Sequence, residues 1–178
     1  VAQLLLLIVE TMTKGVFAEA GGIMLLDDKK DELHIKVAYG IDEKIAQKIA
    51  IKTGEGIIGL SVKEKRAIIS SFASEPAPGK SDKNKFVYKN LISVPLLYRE
   101  DCLGTLVVFN KKEAASFNED DKVLVSNVAS QTAIAIANDK LNADAEQTYI
   151  ETISALAVAV EAKDPYSRGH LDRVSRLV

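Results

Sequence analysis

The sequence predicts an α+β fold: a mostly antiparallel sheet flanked by helices, with a long C-terminal helix. Three observations predict it. Leu4, Leu5, Ile8, Val9, Met12 and Val16 recur at three- and four-residue spacing, as on one face of a helix. Short apolar runs in the middle of the chain are joined by tight polar loops, which is how antiparallel strands connect. From Asn118 onward neither Pro nor Gly occurs until Pro165. One helix of roughly 45 residues therefore closes the fold, well beyond ordinary globular length.

The elements follow in order. The first helix is expected to end near the Gly21–Gly22 break. Ile23–Leu26 and Leu33–Tyr39 read as strands around the polar hairpin loop Asp27–Asp31. Leu33, Ile35, Val37 and Tyr39 alternate with period two, so one face of that strand packs on a core. Asp42–Lys48 reads as a short helix and Ile49–Ile51 as a short strand. The glycines of Gly54-Glu55-Gly56-Ile57-Ile58-Gly59 give tight backbone geometry before a helix over Ile57–Glu64. Ala67–Ser70 is another strand. Phe72–Lys85 carries two prolines, a glycine and many polar residues, which makes it the longest loop expected. Leu91–Tyr98 and Cys102–Asn110 form the clearest hairpin, turning at Arg99-Glu100-Asp101. Asn118 is an N-cap, with Glu119, Asp120 and Asp121 in the first turn of the closing helix.

Composition narrows the function. The chain has 178 residues, 47% hydrophobic and 27% charged, as in a globular chain. A net charge of -2 gives no reason to expect a nucleic-acid partner or contact with an anionic membrane surface. The apolar run Leu4–Val9 is too short to span a bilayer. A single cysteine, Cys102, forbids an internal disulfide and suits a reducing, cytoplasmic setting.

Several pieces together resemble a GAF domain over residues 1–138. In order they are Gly22–Asp27, Ala38–Ile41, Gly54–Gly59, Ser93–Leu96, Leu103–Leu106 and Phe117-x-x-x-Asp121. The resemblance implies a six-stranded antiparallel sheet with helices on both sides. It also implies a small-molecule pocket between the sheet and the Ala67–Asn90 region. Ser71, Phe72, Ser74, Lys83, Asn84, Phe86 and Tyr88 offer hydroxyl, amide, cation and ring groups there, the usual chemistry of a small-molecule site. A solvated loop is the other reading of the same residues.

Asn110-Lys111 followed by Phe117-x-x-x-Asp121 resembles the family's cyclic-nucleotide signature, with Lys122 where that signature has glutamate. Cyclic-nucleotide binding is left open. A Lys111–Asp121 ion pair would clamp the last strand to the long helix; a plain strand end and helix start is the alternative. Pigment attachment in similar domains uses a cysteine beside a histidine, which Cys102 lacks. His34, in a strand, is expected to face solvent or a partner side chain. A sulfoxide reductase of the same fold would need reactive cysteines, and a lone Cys102 argues against it.

Ile134, Asn138, Leu141, Ala145, Thr148, Thr152, Ala155 and Ala159 alternate three- and four-residue steps, a heptad seam with small side chains. It predicts a homodimer with Asn138 setting register. Residues 139–163 read as a helical linker running into a second domain, and 164–178 as the start of that domain. Asp164-Pro165-Tyr166-Ser167-x-Gly169-His170 followed by Arg173-Val174 resembles the opening of an HD-GYP phosphodiesterase. That family's His-Asp pair and Gly-Tyr-Pro triplet are absent, so the chain is expected to be cut inside the enzyme and to carry no catalytic residues or cofactor of its own. His170 matches a metal ligand of that family. The complete catalytic domain is expected to hold a divalent metal, iron or manganese, which a single histidine cannot retain. The expected function is thus a cytoplasmic small-molecule-sensing regulatory domain of a bacterial signalling protein. It would couple an unknown effector through a dimeric helix to a cyclic-di-GMP phosphodiesterase. The alternative is a structural dimerisation module with a vestigial pocket.

Overall fold

The structure, a computed structural model, describes residues 2–71, 88–112 and 116–163, with side chains to residue 155. The elements are α1 (Ala2–Gly15), β1 (Ala18–Leu26), β2 (Glu32–Tyr39), α2 (Glu43–Ala46), β3 (Ala50–Lys52), α3 (Gly56–Glu64), β4 (Ile68–Ser70), β5 (Leu91–Tyr98), β6 (Asp101–Lys111) and α4 (Glu119–Lys163). The described strands form one six-stranded antiparallel sheet in the order β3-β2-β1-β6-β5-β4. Both edge strands are three residues long, each pairing with three residues of its longer neighbour.

Two expectations about boundaries are corrected. Helix α1 stops at Gly15, and Gly21 and Gly22 lie inside β1, which starts at Ala18 rather than Ile23. The glycines serve close packing there. A Cβ on Gly21 would stand 2.3 Å from Thr13 Oγ1 and 3.2 Å from the Val107 carbonyl oxygen. The β5–β6 turn is also shorter than expected: Tyr98 already pairs with Asp101, leaving Arg99 and Glu100 as the loop. Arg99 takes a left-handed φ of 55° to make it, as two-residue hairpin loops require positive φ.

The central strands are buried on both faces. Along β6, Leu106 and Val108 join one core, while Val107 and Phe109 join the other, as period-two geometry demands. The first core sets Leu5, Val9 and Met12 of α1 and Val16 just after it, with Val125, Ala129 and Ala133 of α4, against Ile23, Ile92, Val94 and Leu96. The second sets Ile58 and Val62 of α3, with Ile49 and Ile51, against Met24, Leu33, Leu91 and Phe109. Ser61 on α3 donates to the carbonyls of Arg66 (3.0 Å) and Ser93 (3.2 Å), tying α3 to β5.

The chain divides into two compact units, residues 1–137 and 138–178. In the first, Val125, Ala129, Ala133 and Ala137 of α4 are buried at four-residue spacing. In the second, every side chain from Asn138 to Ala155 is exposed.

Candidate functional site

Beyond the last ladder pair of the β5–β6 hairpin, Leu91 with Phe109, two asparagines take over the pairing. The Asn110 amide donates to the Asn90 carbonyl at 2.9 Å. The Lys111 amide donates to Asn90 Oδ1, and the Lys89 amide to Asn110 Oδ1, each at 2.8 Å. Asn110 sits at φ 57°, a conformation Asn tolerates better than most residues. Beyond this bracket Lys111 still pairs with Ala18 of β1.

The Lys111 side chain then reaches α4. Its ammonium lies 2.6 and 2.7 Å from the two carboxylate oxygens of Asp121. The two side chains are 13% and 12% exposed, and the ammonium also stands 5.7 Å from the Phe117 ring centre. The Asn118 amide donates to Asp121 Oδ2 at 3.0 Å, and the Asp121 amide to Asn118 Oδ1 at 2.9 Å. This is a reciprocal cap that satisfies backbone donors at the helix start. Asn110, Lys111, Phe117 and Asp121 are therefore brought together at the joint between β6 and α4.

Of the expected pocket residues, Ser71 and Tyr88 are described. Ser71 directly follows β4 and is half-buried. Tyr88 is 4% exposed, its ring 5.4 Å from that of Phe109 in the second core. Phe72, Ser74, Lys83, Asn84 and Phe86 lie outside the described residues. Asn90 did not stand out in the sequence as a site residue. The signal available was its mirrored placement with Asn110 at the two ends of one hairpin.

Cys102 is buried, and its thiol donates to the Gly104 carbonyl at 3.3 Å. Burial pushes the thiol above its ordinary range. That disfavours the thiolate a nucleophilic cysteine needs. His34 is exposed, 3.7 Å from Glu32. Among the described residues no group of three His, Cys, Asp or Glu side chains is placed to hold a metal ion. His170 lies outside them. No described helix is long and apolar enough to cross a membrane.

A second surface feature is apolar. A groove of about 460 Å³ is lined by Leu7, Ile8, Thr11, Met12 and Gly15 of α1 and Leu124 and Val128 of α4. Leu4, placed on the buried stripe by its spacing, is instead 52% exposed, and Leu7 is 59% exposed. Along the proposed seam, Ile134, Asn138, Leu141 and Ala145 are all exposed. Thr148 and Thr152 turn their hydroxyls onto the carbonyls of Asp144 (2.9 Å) and Thr148 (2.8 Å), as helical threonines can.

The GAF domain family matches residues 1–137. The chain belongs to the GAF domain family. Solved structures share the fold. The GAF domain of a phosphoenolpyruvate-protein phosphotransferase from Coxiella burnetii is 24% identical, with a TM-score of 0.70, 80% of this chain and 86% of that one being covered. A GAF domain/HD domain protein from Geobacter sulfurreducens is 10% identical, with a TM-score of 0.66 over 79% and 94%. A type II free methionine-R-sulfoxide reductase from Thermoplasma acidophilum is 17% identical, with a TM-score of 0.58 over 74% and 89%. At these identities the likeness is one of fold, and a GAF fold alone does not name a ligand or a reaction.

Proposed function

We propose that this GAF domain is the cytoplasmic sensory part of a bacterial signalling protein and passes the state of its pocket to α4. The observation that carries this is the Lys111–Asp121 pair, which fastens the end of the central strand to the first turn of a 45-residue helix. From Asn138 to Ala155 that helix exposes every side chain, and an isolated helix of such composition needs a partner to stay formed. A second copy supplies it through the Ile134, Asn138, Leu141 and Ala145 seam. The exposed Leu4 and Leu7 offer further apolar surface on α1. The output is a cyclic-di-GMP phosphodiesterase of the HD-GYP type. Support comes from the Asp164–His170 motif and from the occurrence of one fold neighbour as a GAF domain/HD domain protein. In that enzyme His170 would join other ligands around a divalent metal.

A second reading is favoured by Tyr88. Its ring fills space in the second core against Phe109, which suits a dimerisation module with a vestigial pocket. Native mass spectrometry of the purified chain separates the two. A dimer that retains a small molecule supports sensing. A dimer without ligand, unchanged by a metabolite screen, supports the scaffold. A monomer at high micromolar concentration overturns both. For the output, metal content of a chain extended through the whole HD-GYP domain is compared with and without His170→Ala; equal stoichiometry and activity remove His170 from the metal site.

A further inference from the structure

We infer that Asn90 and Asn110 are positioning residues that couple the segment entering β5 to the seating of α4. The contacts run without a gap. Tyr88, one of the two described residues of the candidate pocket, packs on Phe109. The next two residues, Lys89 and Asn90, are held to Asn110 and Lys111 by three hydrogen bonds of 2.8–2.9 Å. Lys111 holds Asp121, and Asp121 exchanges hydrogen bonds with Asn118 at the start of α4.

The geometry gives this route its stiffness. Asn90 is 4% exposed, and its Oδ1 replaces a backbone acceptor for the Lys111 amide. On the other side the Lys112 amide donates to the Phe17 carbonyl at 2.7 Å. The backbone around Lys111 is thus gripped from both neighbouring sides, and its ammonium is held by both oxygens of the carboxylate that caps α4. A displacement of Tyr88 by an arriving ligand would be delivered to the Lys111–Asp121 pair through side chains, not along the chain. Sequence neighbours do not provide such a link, because Asn90 and Asp121 are separated by the whole of β5 and β6.

The inference rests on the sensing reading for its purpose, but the coupling is measured without any effector. Asn110→Gly keeps the left-handed backbone and removes the acceptor for the Lys89 amide; Asn110→Asp keeps both. Amide hydrogen exchange of the purified chain is the readout. In Asn110→Gly, exchange should quicken at Lys89–Ile92 and also at Asp121–Val125, by about tenfold, the factor matching one lost hydrogen bond. α2 and β3 should keep wild-type rates, and Asn110→Asp should stay near wild type throughout. A change confined to Lys89–Ile92, an equal rise across the whole domain, or the same pattern in Asn110→Asp overturns the proposal. Failure to find a ligand would remove the sensor and leave the coupling standing; an unresponsive α4 would do the reverse.

Discussion

Lys111 on β6 and Asp121 on α4 meet as a two-oxygen ion pair, 2.6 and 2.7 Å long, at the base of a helix whose later turns have no packing of their own in the described chain. The pair is nearly removed from solvent, so each member depends on the other. Removing one partner of a buried pair leaves an uncompensated charge and costs about 3 kcal/mol or more. Lys111→Met should therefore lower unfolding stability by about 3 kcal/mol. The double variant Lys111→Met/Asp121→Leu should lose less than the sum of the singles. Urea denaturation of the four proteins measures this; strict additivity would mean that the pair carries no coupling.

Thr13 and Gly21 make a similar mutual constraint inside the first core. Thr13 is fully buried, and its Oγ1 has no hydrogen-bond partner among the described residues. Gly21→Ala would drive a methyl to 2.3 Å from that oxygen and should cost about 1–3 kcal/mol by overpacking. Thr13→Val keeps the shape and discards an unsatisfied hydroxyl, so it should stabilise by about 1 kcal/mol. Thermal unfolding decides both; a destabilised Thr13→Val would show that the hydroxyl is satisfied in solution.

Cys102 provides a pH test. Burial raises its thiol pKa in the folded state, so folding opposes ionisation. The associated stability is complete below the unfolded pKa of about 8.5 and is lost as pH rises toward the higher folded value. Relative to Cys102→Ala, the wild type should lose stability above about pH 8.5. At pH 8 a water-soluble alkylating agent should modify the native chain far more slowly than the urea-unfolded chain. Equal rates would contradict the burial.

Leu141→Asp tests the seam. Leu141 is 55% exposed, and a charge placed in the proposed dimer seam cannot be desolvated cheaply. Light scattering should show a shift from dimer toward monomer, with the domain's thermal transition little changed. An unaltered dimer would move the interface elsewhere.

Much of the fold was legible because its signals are local. Alternation marked Leu33–Tyr39 as a strand, although Leu33 and Ile35 pack on the second core and Val37 and Tyr39 on the first, across an irregularity in the β1–β2 register. The Pro- and Gly-free run after Asn118 marked the length of α4. Asn118 was readable as a cap because its side chain bonds within three residues. The GAF pieces implied the six-stranded antiparallel sheet only by resemblance, and the strand order β3-β2-β1-β6-β5-β4 came from the structure. Two other features depend on distant partners. Gly21 and Gly22 look like a break in sequence, yet they belong to a strand, where a Cβ on Gly21 would meet Thr13 of α1 and one on Gly22 would meet the Val37 carbonyl of β2. Leu4 and Leu5 are chemically alike, but only Leu5 faces the sheet. Asn90 carries no local mark for its bonds to Asn110 and Lys111, which are twenty and more residues away. Spacing along a chain encodes which backbone hydrogen bonds are near at hand. Which side chain becomes buried, and which amide meets which carbonyl across the sheet, is settled only when non-local packing repays the entropy of closing the chain.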